Sequence, residues 1–312
     1  MKNLLYYLLY GFAYLISLLP FKVLYALSDC IWFLMYRVVK YRRKVVWKNL
    51  KASFPEKDDI ELSCIEYEFY QWLCDYIVET IKLLSISDKE LLKHIEFQNV
   101  EELEECYDRG QNCAAILGHY CNWEWLSATG LGYKRHPEAI TGLIYHRLRS
   151  KAMDRLFLKL RNAHKGFCVK KAYTLRTVVR LKKENKRNMF GYISDQTPKW
   201  DNIHLWLDFL NQDTPVFTGG ERIMRMMDNA VFYVDMRRTK RGHYVANFIP
   251  VTLHAKQTDE FFIVRQFFSM LEQSIRREPQ FYLWTHNRWK RTREEYEMRM
   301  KQKNDSPNQS SD

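Results

Sequence analysis

The chain has 312 residues, with 49 Lys and Arg against 37 Asp and Glu and a formal net charge of +12. That length suits one large domain or two small ones, and that charge points to anionic partners: nucleic acid, phospholipid headgroups or an acidic protein or substrate. The seven cysteines form no C-x-x-C pair and are odd in number, which argues against a disulfide framework or a zinc site and for a reducing compartment; no metal site is expected.

Leu4 to Leu19 carries no charge, Pro20, Phe21 and Lys22 interrupt it, and Val23 to Val39 is mostly apolar again before the basic run KYRRKVVWK. A full span needs about 20 apolar residues, so two readings stand: one tilted span, or a shallow helical hairpin turning at Pro20. A signal peptide fits less well, because no small-x-small site follows and the apolar character continues. Residues 1–44 are therefore read as a membrane-anchoring segment. The basic residues and the tyrosines and tryptophan near them suit the cytoplasmic interface.

Residues 45–303 read as a soluble domain. Ile60 to Leu84 has helical periodicity, and Ser87 opens another helix. Ile95 to Phe97 is a short strand, followed by an acidic helix ending at Gly110. Cys113 to Leu117, Ala139 to Tyr145, Gly166 to Val169 and Met189 to Ile193 read as strands. Between them, Asn122–Thr129, Ser150–Arg161 and Tyr173–Lys183 read as helices. A helix over Gly220–Met227, strands over Ala230–Met236 and Tyr244–Pro250, and a helix over Asp259–Arg277 complete the domain. Residues 304–312 read as a polar, disordered tail. Strands alternating with helices predict an α/β fold with a mostly parallel central sheet flanked by helices.

The stretch GHYCNWE follows the apolar run Cys113–Leu117 directly. It sets His119 just past the carboxyl end of a strand, where open α/β sheets bind ligands. Glu124 lies five residues on. With His119 in the turn and Glu124 in the first turn of a helix, the carboxylate would hold one ring nitrogen and leave the other facing a substrate. That pairing suits general-base activation of an alcohol or amine. There is no G-x-S-x-G motif. Cys121 offers a second reading, a thiol nucleophile, or is simply a small residue in a tight turn. Thr218, Gly219 and Gly220 form either an anion-cradling turn or a plain helix start, and the same choice holds for Glu221 and Arg222. Trp284, His286, Arg288, Trp289 and Lys290 mix aromatics with cations, as at a lipid-phosphate interface or on an amphipathic terminal helix.

GHYCNWE resembles the H-x-x-x-x-D/E motif of the glycerolipid-type acyltransferases, in the form found in the late acyltransferases of lipid A biosynthesis. NLKASFPE, the block Tyr145–Asp154, SDQTP, FLNQDTPVFTGGE and EPQFYLWTHNRWK follow in the same order as in that family. The resemblance implies transfer of an acyl chain from an acyl carrier protein thioester, or from acyl-coenzyme A, to a hydroxyl of a lipid A precursor. It implies no other cofactor and no nucleic acid. The setting it implies is the inner membrane, with the catalytic domain on the cytoplasmic side. By resemblance His119 is the base and Glu124 its partner. His146 and Arg147 stand where the family has a basic residue for the oxyanion, with Arg161, which keeps the family's spacing to Gly166, as a substitute. Asp195 and Gln196 position substrate, and Asn122 and Trp123 belong to the acceptor site. The same chemistry on a glycolipid, amino-acid lipid or aryl pigment lipid is the first alternative. A non-catalytic basic membrane-binding protein is the second, and a thiol hydrolase acting through Cys121 the third.

Overall fold

The structure is a computed structural model that describes residues 2–305. Helices α1 (Lys2–Ser17) and α2 (Phe21–Trp32, continued in wider winding over Phe33–Val38) form a hairpin bent by 119°. Proline 20 lacks an N–H and stands at the start of α2, where a helix needs none. The open carbonyls at the end of α1 are capped from α4 (Asp59–Lys82): Lys82 Nζ donates to the Ser17 and Leu19 carbonyls at 2.8 and 2.9 Å, and Ser85 Oγ donates to Ser17 at 2.6 Å. Among the described residues no single helix is long and apolar enough to cross a membrane. The reading as one tilted span therefore gives way to the bent pair.

Helix α3 (Arg43–Ser53) leads to α4, whose start carries a complete capping box from Asp58 and Glu61. Three buried acids on α4 receive the hairpin. Ser28 donates to Asp75 at 2.7 Å, Tyr25 to Glu79 at 3.0 Å, and Tyr36 to Glu66 at 3.4 Å. The hairpin is thus seated on the domain through buried polar contacts rather than held by a linker.

After the short α5 (Asp88–Leu91) come β1 (Ile95–Gln98), α6 (Val100–Asp108), β2 (Cys113–Leu117), β3 (Ile140–Tyr145), α7 (Lys151–Arg161), β4 (Gly166–Lys170), α8 (Thr174–Lys183) and β5 (Asn188–Ile193). A hairpin of β6 (Trp206–Phe209) and β7 (Gln212–Pro215) follows. The chain ends with α9 (Gly219–Met227), β8 (Ala230–Lys240), β9 (His243–Thr252), α10 (Phe262–Arg277) and α11 (Arg293–Asp305). Seven strands form one sheet in the order β1-β9-β8-β2-β5-β3-β4, parallel at every pairing except β8 with β9. Every residue of β2 is buried, as a strand covered on both faces requires.

Three expectations change. Residues 122–129 form a turn and a single 3-10 helix, Trp125–Leu131, instead of an α-helix. Cys121 holds a left-handed φ of 51°, and the Asn122 carbonyl accepts the Trp125 N–H three residues on, so the chain winds tightly. Residues 284–290 form turns, not an amphipathic helix; the terminal helix comes later, as α11, and is polar all round. Of the expected tail, Asn304 and Asp305 close α11, and residues 306–312 lie outside the described residues.

Candidate active site

Leu117 at the end of β2 pairs with Ile193 at the end of β5. Two residues further along each chain stand His119 and Asp195, side by side at the carboxyl edge of the sheet. Asp195 Oδ1 accepts from His119 Nδ1 at 2.7 Å, and Oδ2 accepts from the His119 backbone N–H at 3.0 Å. An ionised carboxylate only accepts, so Nδ1 carries the ring proton and Nε2 is left with its lone pair. The Gln196 side-chain amide lies 3.3 Å from that Nε2. Asp195 is buried (2% exposed) while the imidazole is 19% exposed, so the pair has a dry side and an open side. Burial pushes the Asp195 carboxyl up, but the neighbouring His119, its ring and backbone hydrogen bonds and the Arg288 cation together hold it below the usual range.

Glycine 118 precedes His119 for a steric reason. A β-carbon there would meet the Leu271 side chain of α10 at 2.7 Å. Trp123 stands edge-on to the imidazole, with centroids 5.0 Å apart, and packs on Tyr76 at 4.2 Å.

Glutamate 124 is not the partner of His119. Arg161 Nε donates to its Oε2 at 2.7 Å and Nη2 to its Oε1 at 2.5 Å, and the Tyr76 hydroxyl lies 3.4 Å from Oε1. The turn after Cys121 directs Glu124 into the protein, where it is 3% exposed, toward the end of α7. The same pairing removes Arg161 from the list of free oxyanion donors. The spacing of Arg161 and Gly166 also has a physical cause: a β-carbon on Gly166 would lie 1.9 Å from the Arg161 carbonyl oxygen, so α7 can close this tightly only over glycine. Asn122 belongs to the core, not to a substrate pocket. It is fully buried and donates to Glu79 Oε2 at 2.8 Å.

The C-terminal block completes the wall. Residues 119–121 pair with residues 281–283 in a short antiparallel bridge: the Leu283 N–H donates to the His119 carbonyl at 3.1 Å, and the Cys121 N–H to the Phe281 carbonyl at 2.9 Å. Arg288 is fully buried, donates to the Pro215 carbonyl at 2.7 Å, and is lowered to about 10 by burial despite Tyr282 and Asp195 nearby. His286 is lowered to about 4, first by burial, with Lys290, Arg288 and His119 adding to the effect and Asp195 opposing it. Its Nε2 is buried with no protein partner among the described residues. Lys290 is exposed beside Arg42 and Arg291.

The remaining candidates stand apart. His146 and Arg147 are exposed on the loop after β3, where His146 Nδ1 meets the Arg147 carbonyl and Arg147 faces Asp154 at 3.9 Å. Thr218 and Gly219 begin α9. Glu221 is buried and accepts the Val264 N–H at 2.9 Å, so it caps the start of α10 rather than binding a phosphate. Arg222 is exposed on α9. Cys121 is fully buried and its thiol is pushed well up by burial, which excludes the thiolate that a nucleophile needs.

Other residues of the site carried no functional reading in the sequence. Asn49 Nδ2 donates to the Trp284 and His286 carbonyls, both at 2.9 Å, and Arg42 Nη1 to the Thr285 carbonyl at 2.8 Å. Thr197 donates to the Arg288 carbonyl. The signal for Asn49 was its place in NLKASFPE; that segment braces the C-terminal block from below.

An oriented histidine whose Nε2 is met only by the Gln196 amide, backed by a buried carboxylate at the carboxyl edge of a parallel sheet, is an arrangement that can act as a general base. The model of the family described as bacterial lipid A biosynthesis acyltransferase matches residues 1–291, and the chain belongs to that family. It is accordingly an acyltransferase of lipid A biosynthesis, with a lipid A-like molecule as acceptor. No curated protein matches the chain.

Proposed function

We propose that the protein transfers a fatty acyl chain from an acyl carrier protein thioester to a hydroxyl of a lipid A precursor, with His119 as general base and Asp195 as the carboxylate that orients it. His119 Nε2 takes the hydroxyl proton as the oxygen attacks the thioester carbonyl. The C–S bond then breaks, and the imidazolium returns the proton to the departing thiolate. Asp195 stabilises the imidazolium meanwhile. The Gln196 amide, beside Nε2, is the donor best suited to meet the oxyanion. Glu124 supports the site through Arg161 instead of touching the base.

The observation that carries this reading is the His119–Asp195 pair, taken with the family. Attachment to the cytoplasmic face of the inner membrane belongs to the same proposal. It is supported by the outward apolar face of α1, where Leu4, Leu5, Leu8, Phe12 and Leu15 are each more than half exposed. The test is mass spectrometry of lipid A from a Gram-negative host lacking the gene, complemented with wild type or His119→Ala. Wild type alone is expected to restore one secondary acyl chain. Identical lipid A in all strains would sink the acceptor assignment.

A further inference from the structure

The positive charge of this protein is local. Residues 147–187 hold 15 of the 49 Lys and Arg but two of the 37 Asp and Glu, a net of +13 against +12 for the whole chain. This segment is α7, β4 and α8, and β4 is the edge strand of the sheet. Tyr145 pairs with Lys170, so the loops that leave β3 and β4, residues 146–151 and 170–176, share the carboxyl rim. His119 and Asp195 open on that same edge. The two loops contain six Lys and Arg, all exposed, and no Asp or Glu. Among them three large apolar side chains stand out into solvent: Leu148 at 40%, Tyr173 at 55% and Leu175 at 40% exposed. The rim continues into the N-terminal hairpin, because α1 lies on α7 with the Arg155 guanidinium 3.9 Å over the Tyr6 ring.

We propose that this rim is a docking surface for an anionic lipid leaflet, a second contact besides the apolar face of α1. It rests on the proposed function only in that the acceptor resides in a bilayer. Lysine and arginine among protruding leucine and tyrosine match the headgroup region, where cations meet phosphates and the amphipathic rings and leucines enter the acyl boundary. An acidic protein accounts for the charge but not for the apolar side chains that continue toward the leucines of α1. Nucleic acid fails for the same reason. Docked this way, the carboxyl edge faces the leaflet and the His119 cleft opens at headgroup depth.

The test is flotation of the full chain on phosphatidylcholine vesicles with and without phosphatidylglycerol. A rim variant, Lys170→Glu/Lys171→Glu/Arg176→Glu, is compared with a remote one, Lys182→Glu/Lys183→Glu/Lys186→Glu, which changes net charge equally near the opposite edge. The rim variant is expected to lose about a hundredfold or more of its partitioning onto the anionic vesicles, about fivefold for each cation removed from the headgroup region. Partitioning onto neutral vesicles and the melting temperature are expected to stay close to wild type, because all three side chains are exposed. Equal losses in both variants, or none in the rim variant, would overturn the proposal. So would intact vesicle binding with a raised KM for an acidic acyl-donor protein. His119→Ala separates this from the catalytic reading: it is expected to bind vesicles like wild type while losing transfer to a detergent-dispersed acceptor. Retained transfer in that variant sinks the chemistry and leaves the docking surface standing.

Discussion

Asp195 holds His119 at two points at once, the ring Nδ1 at 2.7 Å and the backbone N–H at 3.0 Å. Both contacts donate to the carboxylate, one to each oxygen. The arrangement sets the tautomer, the ring orientation and the position of the loop together.

Asp195→Asn therefore breaks the device without changing its shape. An amide has one oxygen and one nitrogen, so whichever way it turns, one of the two His119 donors faces an N–H. We expect kcat to fall by about 10²-fold or more, with KM within a few-fold of wild type. Steady-state kinetics checks this; a variant with wild-type kcat would show that the base needs no orienting carboxylate.

The Glu124–Arg161 pair is a stability element. Glu124 is 3% and Arg161 22% exposed, so removing one partner strands a buried charge. Glu124→Leu and Arg161→Met are each expected to cost about 3–5 kcal/mol. Glu124→Leu with Arg161→Met removes both charges and is expected to cost less than either single change. Denaturant unfolding of the three variants measures the coupling, and additive losses would contradict it.

How much of this was legible follows from how far each feature reaches along the chain. The parallel strands were, to within a residue or two, because buried strands read as short apolar runs between turn residues: Cys113–Leu117 matches at both ends, while β8 runs four residues past the expected Met236 because its end, RRTK, is polar. The β6–β7 hairpin was not. Its turn uses Leu210 and Asn211, both at positive φ, where Asn-Gly or Asp-Gly would have announced it. The place of His119 just past the end of β2 was legible. Its partner was not, because Asp195 lies 76 residues away and only the β2–β5 register brings the two together. Glu124 was chosen for nearness in sequence, yet its contact is Arg161, 37 residues distant. Asp195 itself was singled out, but for positioning substrate. A pairing that depends on tertiary register leaves no local pattern.

The burial of Cys121 makes a negative prediction. Its thiol is pushed well up, first by burial and then by the Glu278 carboxylate. Cys121→Ala is expected to keep acyl transfer within about threefold of wild type, with a stability loss of about 1 kcal/mol for the small cavity. Activity assays on the variant, and on wild type after alkylation of exposed thiols, check this. Loss of transfer in Cys121→Ala with an unchanged melting temperature would restore the thiol as a nucleophile.

His286 links the site to acid stability. Burial first, then the neighbouring cations, lower its folded pKa to about 4, against about 6.5 in an unfolded chain. Above pH 6.5 both states hold the ring neutral, and the histidine contributes no slope. Between about 6.5 and 4 the unfolded chain binds a proton that the folded one refuses, so stability falls as pH falls. The total reaches at most about 3 kcal/mol. Below about pH 4 both states are protonated and the slope ends. His286→Gln removes the titration, so the wild-type stability curve is expected to be steeper than the variant's by up to one proton across that window and parallel to it above pH 7. Urea unfolding of both proteins from pH 4 to 8 makes the comparison, and parallel curves throughout would show that the His286 ring is open to solvent protons in the folded state.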